Sequence, residues 1–465
     1  MSAALRDMRG LLQTGALIEE LTDDLLSQVL KHSPDANGRL ALVSHGVRRR
    51  LAAVQPKPPL WFHVLLDQYP QATDAQRRES MLSALEAQAP RFRLLSIEMP
   101  GFDLDEDPAT AVNALAPLRG AVRLAAVLQR HGAALESLDL SLTGISAWRE
   151  IGAALRSCVS LQRVNLSGET ITAGNHPFTW MTECRATLRE LLLEDNDIGR
   201  VTTRLAPVLR ECRALTKLSL SGNRLDYVDM GPGGQPPVLA MQRLTDELRH
   251  HPSLEHLDLT ACTLSAGCIT LLVAVLPTCP RLERLGLAQN HLTARRAAWL
   301  GAMVVLCPAM RHLDVRENPE LFNGGLRALV ASRGLRGLAS LDVSHCHIDC
   351  IGPAGDPTGP QVPFLEELAL CPRMQRLNLS HNNLGDTFVR ALARMLEACP
   401  ALERLELAST LMTDTGVAAL ALAVPRCPGL TRLNITRNAC KPATGQQMQA
   451  AWRATHGDMG GLWMD

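Results

Sequence analysis

The sequence predicts an α/β solenoid, a horseshoe with a parallel inner sheet and outer helices. The first observation is an eleven-residue pattern, clearest as L-E-R-L-G-L-A-Q-N-H-L at 282–292. The second is its recurrence at intervals of 26 to 28 residues, apart from one interval of 39 and one of 36. A chain with this period stacks similar supersecondary units instead of building one central core. The pattern begins at Leu135, Leu161, Leu188, Leu215, Leu254, Leu282, Met310, Leu338, Met374, Leu402 and Leu430.

Each repeat begins with the residues of a short strand. The first, fourth and sixth places are apolar, as at Leu282, Leu285 and Leu287, and this alternation directs them into the stack. The ninth place holds a short amide that can bond the backbone of a turning loop from inside. The residues at this place include Asn196, Asn223, Asn290, Asn318, Asn382 and Asn438, with Cys262 and Cys346 as substitutes.

A helix follows each strand. The stretch Thr415 to Val424 is rich in Ala and Leu at helical spacing, and Cys427-Pro428 ends it before the next strand. With a period near 28 and a full helix, the chain resembles the leucine-rich-repeat family, in its ribonuclease-inhibitor subtype. The resemblance extends over about residues 91–455. We assign the repeats to 91–440 and a C-terminal cap to 441–465.

Most of the 13 cysteines occupy places that the repeat buries. Eight lie three or four residues before a strand, and two more are the ninth-place residues. Small buried thiols of this kind predict a reduced, intracellular site of action instead of disulfides. The eight are Cys158, Cys184, Cys212, Cys279, Cys307, Cys371, Cys399 and Cys427.

The N-terminal region follows a different pattern. Residues 1–17 have no strong pattern and are expected to be flexible, whereas 18–54 read as two helices separated by Pro34, Asn37 and Gly38. This all-α hairpin, L-x-D-x-L-L-x-x-V-L followed by R-L-A-L-V-S, resembles the F-box, which docks on Skp1 of cullin-based ubiquitin ligases. The resemblance implies that the Skp1-binding residues are Leu21, Leu25, Leu26, Val29, Leu30, Leu40, Val43 and Val47. The alternative is a helical cap that covers the first repeat.

Residues 55–90 are predicted to be a helical linker. A helix is expected from Leu60 to about Tyr69 and another from Asp74 to Gln88, before a degenerate first repeat that includes Leu94 and Ile97. Two repeats are also lengthened after their strands, by the Gly/Pro-rich segments 231–237 and 352–360. We expect these segments to project from one edge, more often as tolerated loops than as contacts.

Two columns of side chains are predicted on the inner face of the sheet. The third places form a basic column and the fifth places form an acidic or amide column. The face that carries the two columns is either a solvated face or a polar partner surface. The third places are Arg163, Glu190, Lys217, His256, Arg284, His312, Ser340, Arg376, Arg404 and Arg432. The fifth places are Asn165, Leu192, Ser219, Asp258, Gly286, Asp314, Asp342, Asn378, Glu406 and Asn434. The predicted partner-binding residues are Arg284, His312, Arg376, Arg404 and Arg432.

Composition and motifs exclude several function classes. The formal net charge is 0, which does not favour nucleic acid or an anionic membrane, and no apolar run is long enough to span one. No catalytic motif is found, so we expect no enzyme activity and no cofactor. We also expect the chain to be a monomer. The sequence His345-Cys346-His347 with Cys350 has ligand types, but Cys346 is a ninth-place residue and we expect no metal site.

These observations predict a non-catalytic adaptor. The resemblance implies a substrate-recruiting subunit of a Skp1–cullin–F-box ligase, with a Skp1-like protein and an unknown host protein as partners. Of 47 basic residues 43 are arginine, which indicates a GC-rich bacterial genome, and the nearest resemblance is to type III effectors of the GALA group. We therefore expect secretion into a host cell, without a Sec-type signal, to the host cytoplasm or nucleus. The alternative is a plain binding or inhibitory solenoid.

Overall fold

We describe a computed structural model of the 465-residue chain. It describes residues 60–64, 92–97, 119–145, 148–169, 171, 177–229, 238–349, 361–457 and 460–464. The chain divides into a first unit, Met1–Asn196, and a second unit, Asp197–Asp465, and each is described by itself. The predicted F-box-like hairpin and the segments 231–237 and 352–360 lie outside the described residues.

The first unit contains parallel strands that neighbour one another in chain order. Leu138 lies opposite Val164, and Val164 opposite Leu191, and all three are fully buried, as the alternation of apolar residues predicts. The described strands are β1 Leu60–Val64, β2 Phe92–Ile97, β3 Ser137–Asp139, β4 Arg163–Asn165 and β5 Glu190–Leu192. The described helices are α1 Arg119–His131 and α2 Trp148–Leu155, with 3-10 turns at Gly132–Ala134 and Pro177–Thr182.

Strand β1 corrects one sequence prediction. A helix was expected to begin at Leu60, but Leu60–Val64 is a strand that pairs in parallel with β2. Aromatic and β-branched residues in Leu-Trp-Phe-His-Val favour an extended backbone. The strands of this unit therefore begin about thirty residues before the predicted first repeat at 91.

The second unit repeats strand and helix in the same way. Its strands from β6 to β15, leaving out the β7–β8 hairpin, pair in parallel and without a shift of register. The described strands are β6 Lys217–Ser219, β7 Val228–Asp229, β8 Val238–Leu239, β9 His256–Asp258, β10 Arg284–Gly286, β11 His312–Asp314, β12 Ser340–Asp342, β13 Arg376–Asn378, β14 Arg404–Glu406, β15 Arg432–Asn434 and β16 Leu462–Trp463. The described helices are α3 Thr202–Glu211, α4 Ala240–Leu248, α5 Ala266–Val275, α6 Ala294–Leu306, α7 Phe322–Ala331, α8 Gln361–Ala369, α9 Gly385–Met395, α10 Asp414–Ala423 and α11 Pro442–His456.

The helix predicted at 415–424 is confirmed as α10. It ends at Ala423, before Cys427-Pro428, and the chain continues as the 3-10 turn Val424–Arg426. Pro425 explains this earlier end, because proline has no N–H with which to continue the helical hydrogen bonds. Across the described residues no helix has both the length and the apolar composition needed to cross a membrane.

The ninth-place asparagines bond the turning backbone, as predicted. The Asn318 side chain accepts hydrogen bonds at 2.9 Å from the backbone N–H groups of Asn290 and Leu292 in the preceding repeat. Its amide nitrogen donates to the carbonyl of Leu287 in that repeat and to that of Val315 in its own. Each buried side chain of this kind therefore connects two repeats through groups that water does not reach, whereas Asn438 is half-buried.

One ninth place holds a buried carboxyl group. Glu169 accepts hydrogen bonds from the backbone N–H groups of Thr143, Gly144 and Ile145 in the preceding repeat. A carboxylate cannot donate as asparagine does, and the Thr143 hydroxyl instead donates to the carbonyl of Leu140 at 3.0 Å. Burial raises the pKa of Glu169 to about 7, although these hydrogen bonds lower it.

The predicted thiols are buried in the described repeats, except Cys427, which is half-buried. Cys262 and Cys346 take the ninth place and donate to the carbonyls of Leu220 and Val315 in the preceding repeats, at 3.0 and 3.2 Å. Burial raises the pKa of Cys346 to about 12. These cysteines serve as small core groups. A buried thiol with a raised pKa is also a poor nucleophile and a poor metal ligand.

Candidate functional site

The basic column follows one row of strand positions in the second unit. His256, Arg284 and His312 lie directly opposite one another on β9, β10 and β11. The row continues through Ser340, Arg376, Arg404 and Arg432 on β12 to β15, and it begins with Lys217 on β6. The structure thus brings the five predicted partner-binding residues into one column. Whether they bind a partner stays a prediction.

The basic column lies on the open side of the sheet. Arg284, Arg376, Arg404 and Arg432 are exposed, whereas the leucines between the third and fifth places are buried. Neighbouring strands are spaced at roughly 4.8 Å, so Arg376, Arg404 and Arg432 follow one another at about that distance, whereas Arg284 lies between two histidines. Positive charge so closely spaced favours a partner that carries carboxylates.

The acidic column has a structural role that the sequence analysis missed. In several repeats the fifth-place side chain accepts a hydrogen bond from the backbone N–H two residues later and thereby closes the turn that follows the strand. The pairs are Asp258 with Thr260, Asp314 with Arg316, Asp342 with Ser344, Asn378 with Ser380 and Asn434 with Thr436. The signal was present as Asp or Asn followed two residues later by Ser or Thr in most of these repeats.

These turns hold the carboxylates in fixed positions. One oxygen of Asp258 accepts from both the N–H and the hydroxyl of Thr260, at 3.0 and 2.7 Å. Asp342 is held by Ser344 in the same way, and its second oxygen accepts from the Asn378 amide at 2.8 Å. The negative groups therefore line the sheet without a large loss of side-chain entropy on binding.

The two columns border a groove of about 480 Å³ over β6 to β12. One side carries basic or imidazole groups and the other carries three aspartates. The charged and imidazole residues that line it are Lys217, His256, Arg284 and His312 on the basic side and Asp258, Asp314 and Asp342 on the acidic side. A groove with both signs of charge can orient a bound protein segment, because its basic side attracts acidic groups of the segment and its acidic side attracts basic groups.

Like charges crowd one another within each column. Burial lowers the pKa of His312, and the positive charges of Arg284 and Arg376 lower it further. On the acidic side, burial raises the pKa of Asp314 to about 6, and the charges of Asp342 and Asp258 contribute in the same direction. Each column is therefore stabilised by a counter-charge brought to it from outside.

Arg404 differs from the other exposed arginines of the basic column in the second unit. Its guanidinium lies 2.6 Å from the Glu406 carboxylate on the same strand. Arg284, Arg376 and Arg432 make no ion pair within the described residues. Arg284 and Arg376, nearer the groove, are accordingly the better candidates for contact with a carboxylate.

A second cavity of about 750 Å³ lies at the loop edge of the second unit. The rings of His345 and His381 stack there with centroids 3.9 Å apart, and the exposed side chains of Phe322 and Leu411 border the same space. Cys346 points into the core, as described above. In the part of the chain that the structure describes, no three His, Cys, Asp or Glu side chains cluster as metal ligands would.

The predicted Skp1-binding residues, Leu21, Leu25, Leu26, Val29, Leu30, Leu40, Val43 and Val47, lie outside the described residues, so their role stays a prediction.

Comparison with known proteins identifies the repeat. A family model described as "Leucine Rich repeat" matches residues 371–393, which span β13 and most of α9. No curated protein matches the chain. Among solved structures, an internalin (InlF) from Listeria monocytogenes is similar, with 14% identity over 74% of this chain and 92% of that chain and a TM-score of 0.39. The comparisons thus identify a leucine-rich repeat at 371–393, a repeat typical of protein–protein interaction, within a unit that repeats parallel strand and helix.

Proposed function

We propose that this chain is a non-catalytic adaptor that holds a protein partner in the groove of its second unit. The observation that carries this proposal is the pair of oppositely charged columns, fixed by the strands and by the turns that follow them. Exposed Arg284 and Arg376 supply positive groups without an internal ion pair among the described residues. The result is a polar surface that is suited to recognition by charge pattern.

The F-box-like order of residues 18–54 supports a finer form of the proposal. In this form the hairpin binds a Skp1-like protein of a host cell, and the repeats present the groove partner to the cullin ligase. The arginine-rich composition and the GALA-like order support delivery from a bacterium into the host cytoplasm or nucleus. The chain itself would supply binding and no chemistry. Its buried thiols are poor nucleophiles, and its groove carboxylates are engaged in turns.

The proposal is tested with two separate sets of variants of the full chain. Leu25→Ala with Leu26→Ala should abolish retention of a purified Skp1-like protein and leave partner capture intact. Arg284→Glu with Arg376→Glu should abolish partner capture and leave retention of the Skp1-like protein intact, because the groove is formed by the second unit. Circular dichroism and the melting temperature check that all variants remain folded.

The matched control reverses two exposed arginines on the helices, Arg327→Glu with Arg394→Glu, which has the same change in net charge. It should leave both interactions unchanged. If wild-type chain retains no Skp1-like protein, the adaptor form is wrong and a plain binding solenoid remains. If the groove variant captures the partner as well as wild type does, the groove is not the binding site.

A further inference from the structure

Gly286 interrupts the acidic column at the centre of the groove. It is the fifth-place residue of β10, with Asp258 before it and Asp314 after it in the column. A Cβ atom at residue 286 would lie 2.5 Å from a carboxylate oxygen of Asp258 and 3.4 Å from the Thr260 hydroxyl. Asp258 therefore extends over the backbone of Gly286 and occupies the space that a side chain at residue 286 would need.

The basic column places Arg284 beside this glycine. Arg284 is two residues before Gly286 on the same strand, and His256 and His312 flank it on the neighbouring strands. The third and fifth places point to the same side of the sheet and are roughly 6.6 Å apart along the strand. The Arg284 guanidinium and the Asp258 carboxylate over Gly286 thus lie side by side on this face of the sheet.

The separation of the third and fifth places equals the distance between same-side residues of an extended peptide, which also point alike at every second position. We propose that the groove binds an extended protein segment that carries one acidic and one basic side chain two residues apart. The carboxylate of the segment pairs with Arg284. Its arginine or lysine pairs with the Asp258 carboxylate that covers Gly286, on the side that faces Asp314. This inference rests on the proposed function of the groove and names the chemistry of its partner.

The charges favour this partner over one of a single sign. A polyanion would satisfy Arg284 but would meet the aspartates, which are held beside it by their turns. A purely basic segment would satisfy the aspartates and meet Arg284 and Lys217. A segment with both charges offsets the like charges in both columns, which add to the effect of burial on the pKa of His312 and of Asp314.

The test uses synthetic peptides of equal length in a Gly/Ser frame and the full-length chain, with binding measured by fluorescence anisotropy. One pair carries Glu-Ala-Arg or Arg-Ala-Glu, so that both chain directions are sampled. The comparison peptides carry the same two charges four residues apart, the acid alone, the base alone, two acids, two bases, or neither. The better of the first pair should bind at least about tenfold more tightly than every comparison peptide.

Variants of the groove assign each contact. Arg284→Gln should reduce binding of the best peptide to that of its base-only counterpart, and Asp258→Asn with Asp314→Asn to that of its acid-only counterpart. Gly286→Ala should weaken binding because it displaces Asp258, and its melting temperature shows whether it still folds. The control Arg327→Gln with Arg394→Gln should bind like wild type.

Equal binding of all peptides, preference for a single charge, preference for the four-residue spacing, or no binding above the neutral peptide would each overturn the proposed charge pattern. The proposed function would still stand if Arg284→Glu with Arg376→Glu abolished capture of the protein partner. Unchanged capture by that variant would instead refute the proposed function itself.

Discussion

Replacing Asn318 with alanine should destabilise the second unit by about 2 to 6 kcal/mol. The Asn318 oxygen is the acceptor for the N–H groups of Asn290 and Leu292, and all three residues are buried. Without it two buried donors lose their partner, and each unsatisfied donor costs about 1 to 3 kcal/mol. The carbonyl groups of Leu287 and Val315 also lose a donor, which adds less because carbonyl oxygens are more often left under-satisfied.

Equilibrium denaturation measures this change, and amide hydrogen exchange localises it. A repeat array does not always unfold in one step, so exchange of peptides from 282–318 should report the loss directly. Asn383→Ala is the matched control, because Asn383 is exposed and its amide reaches the Asp349 carboxylate only at 3.4 Å. It should change the free energy of unfolding by less than about 0.5 kcal/mol. If Asn318→Ala costs as little as this control, the connecting role of the ninth-place amides is wrong.

Three further predictions follow from buried or crowded groups. Burial raises the pKa of Glu169 to about 7, above the usual 4.5, so the folded state holds this proton more tightly and the advantage is complete below pH 4.5. By pH 7 this contribution declines by about 3 kcal/mol, so urea titrations should find a decline in stability that is larger by about this amount in wild type than in Glu169→Gln. The pKa of Asp314 is raised to about 6, so Asp314 loses its charge as pH falls from 7 to 5 and partner capture through a basic group should weaken. Asp314→Asn should remove this part of the pH dependence and leave the part due to the histidines; a difference between wild type and Asp314→Asn that does not change with pH would contradict the prediction. In native protein at pH 7.5, iodoacetamide should not alkylate Cys158, Cys346 or Cys371, because burial raises their pKa values to about 12. Half-buried Cys440 should react, and mass spectrometry that finds the reverse order of reactivity would refute the burial argument.

The repeats could be predicted from sequence because burial follows their period. Leu285, Leu313 and Leu341 recur with the same spacing, and each is at most 2% exposed. The ninth-place amides were predictable for the same reason, since a polar residue that recurs among buried leucines needs a fixed partner. The basic column also followed from the alternation of one strand, repeated in register.

Features that depend on a single repeat or on backbone geometry were missed. The strand Leu60–Val64 has no repeat signature of its own and is established by its pairing with β2. The eighth place adopts a left-handed conformation, with φ of 55° at Gln289 and Glu317 and 53° at His345. At the eighth place only Gly168 and Gly222 indicated this conformation in the sequence, since residue types other than glycine rarely adopt it.

The candidate site was predictable in its residues but not in its shape. Sequence placed Arg284 beside Gly286, but it did not show that Asp258 extends over the glycine or that Asp258 is held by Thr260. It also did not show that Arg404 pairs with Glu406. These contacts depend on rotamers and turn geometry, which period and alternation do not specify.

Site-specific photo-crosslinking tests the central claim most directly. Ser340 lines the groove and carries no charge, so p-benzoyl-phenylalanine can replace it while Arg284 and the aspartates remain. In the full chain incubated with host-cell extract, we predict a crosslink from residue 340 to a protein that is also lost from capture by Arg284→Glu with Arg376→Glu. The same probe at Arg327, on helix α7, should give no such crosslink. A crosslink to that protein from residue 327 and not from 340 would contradict the account.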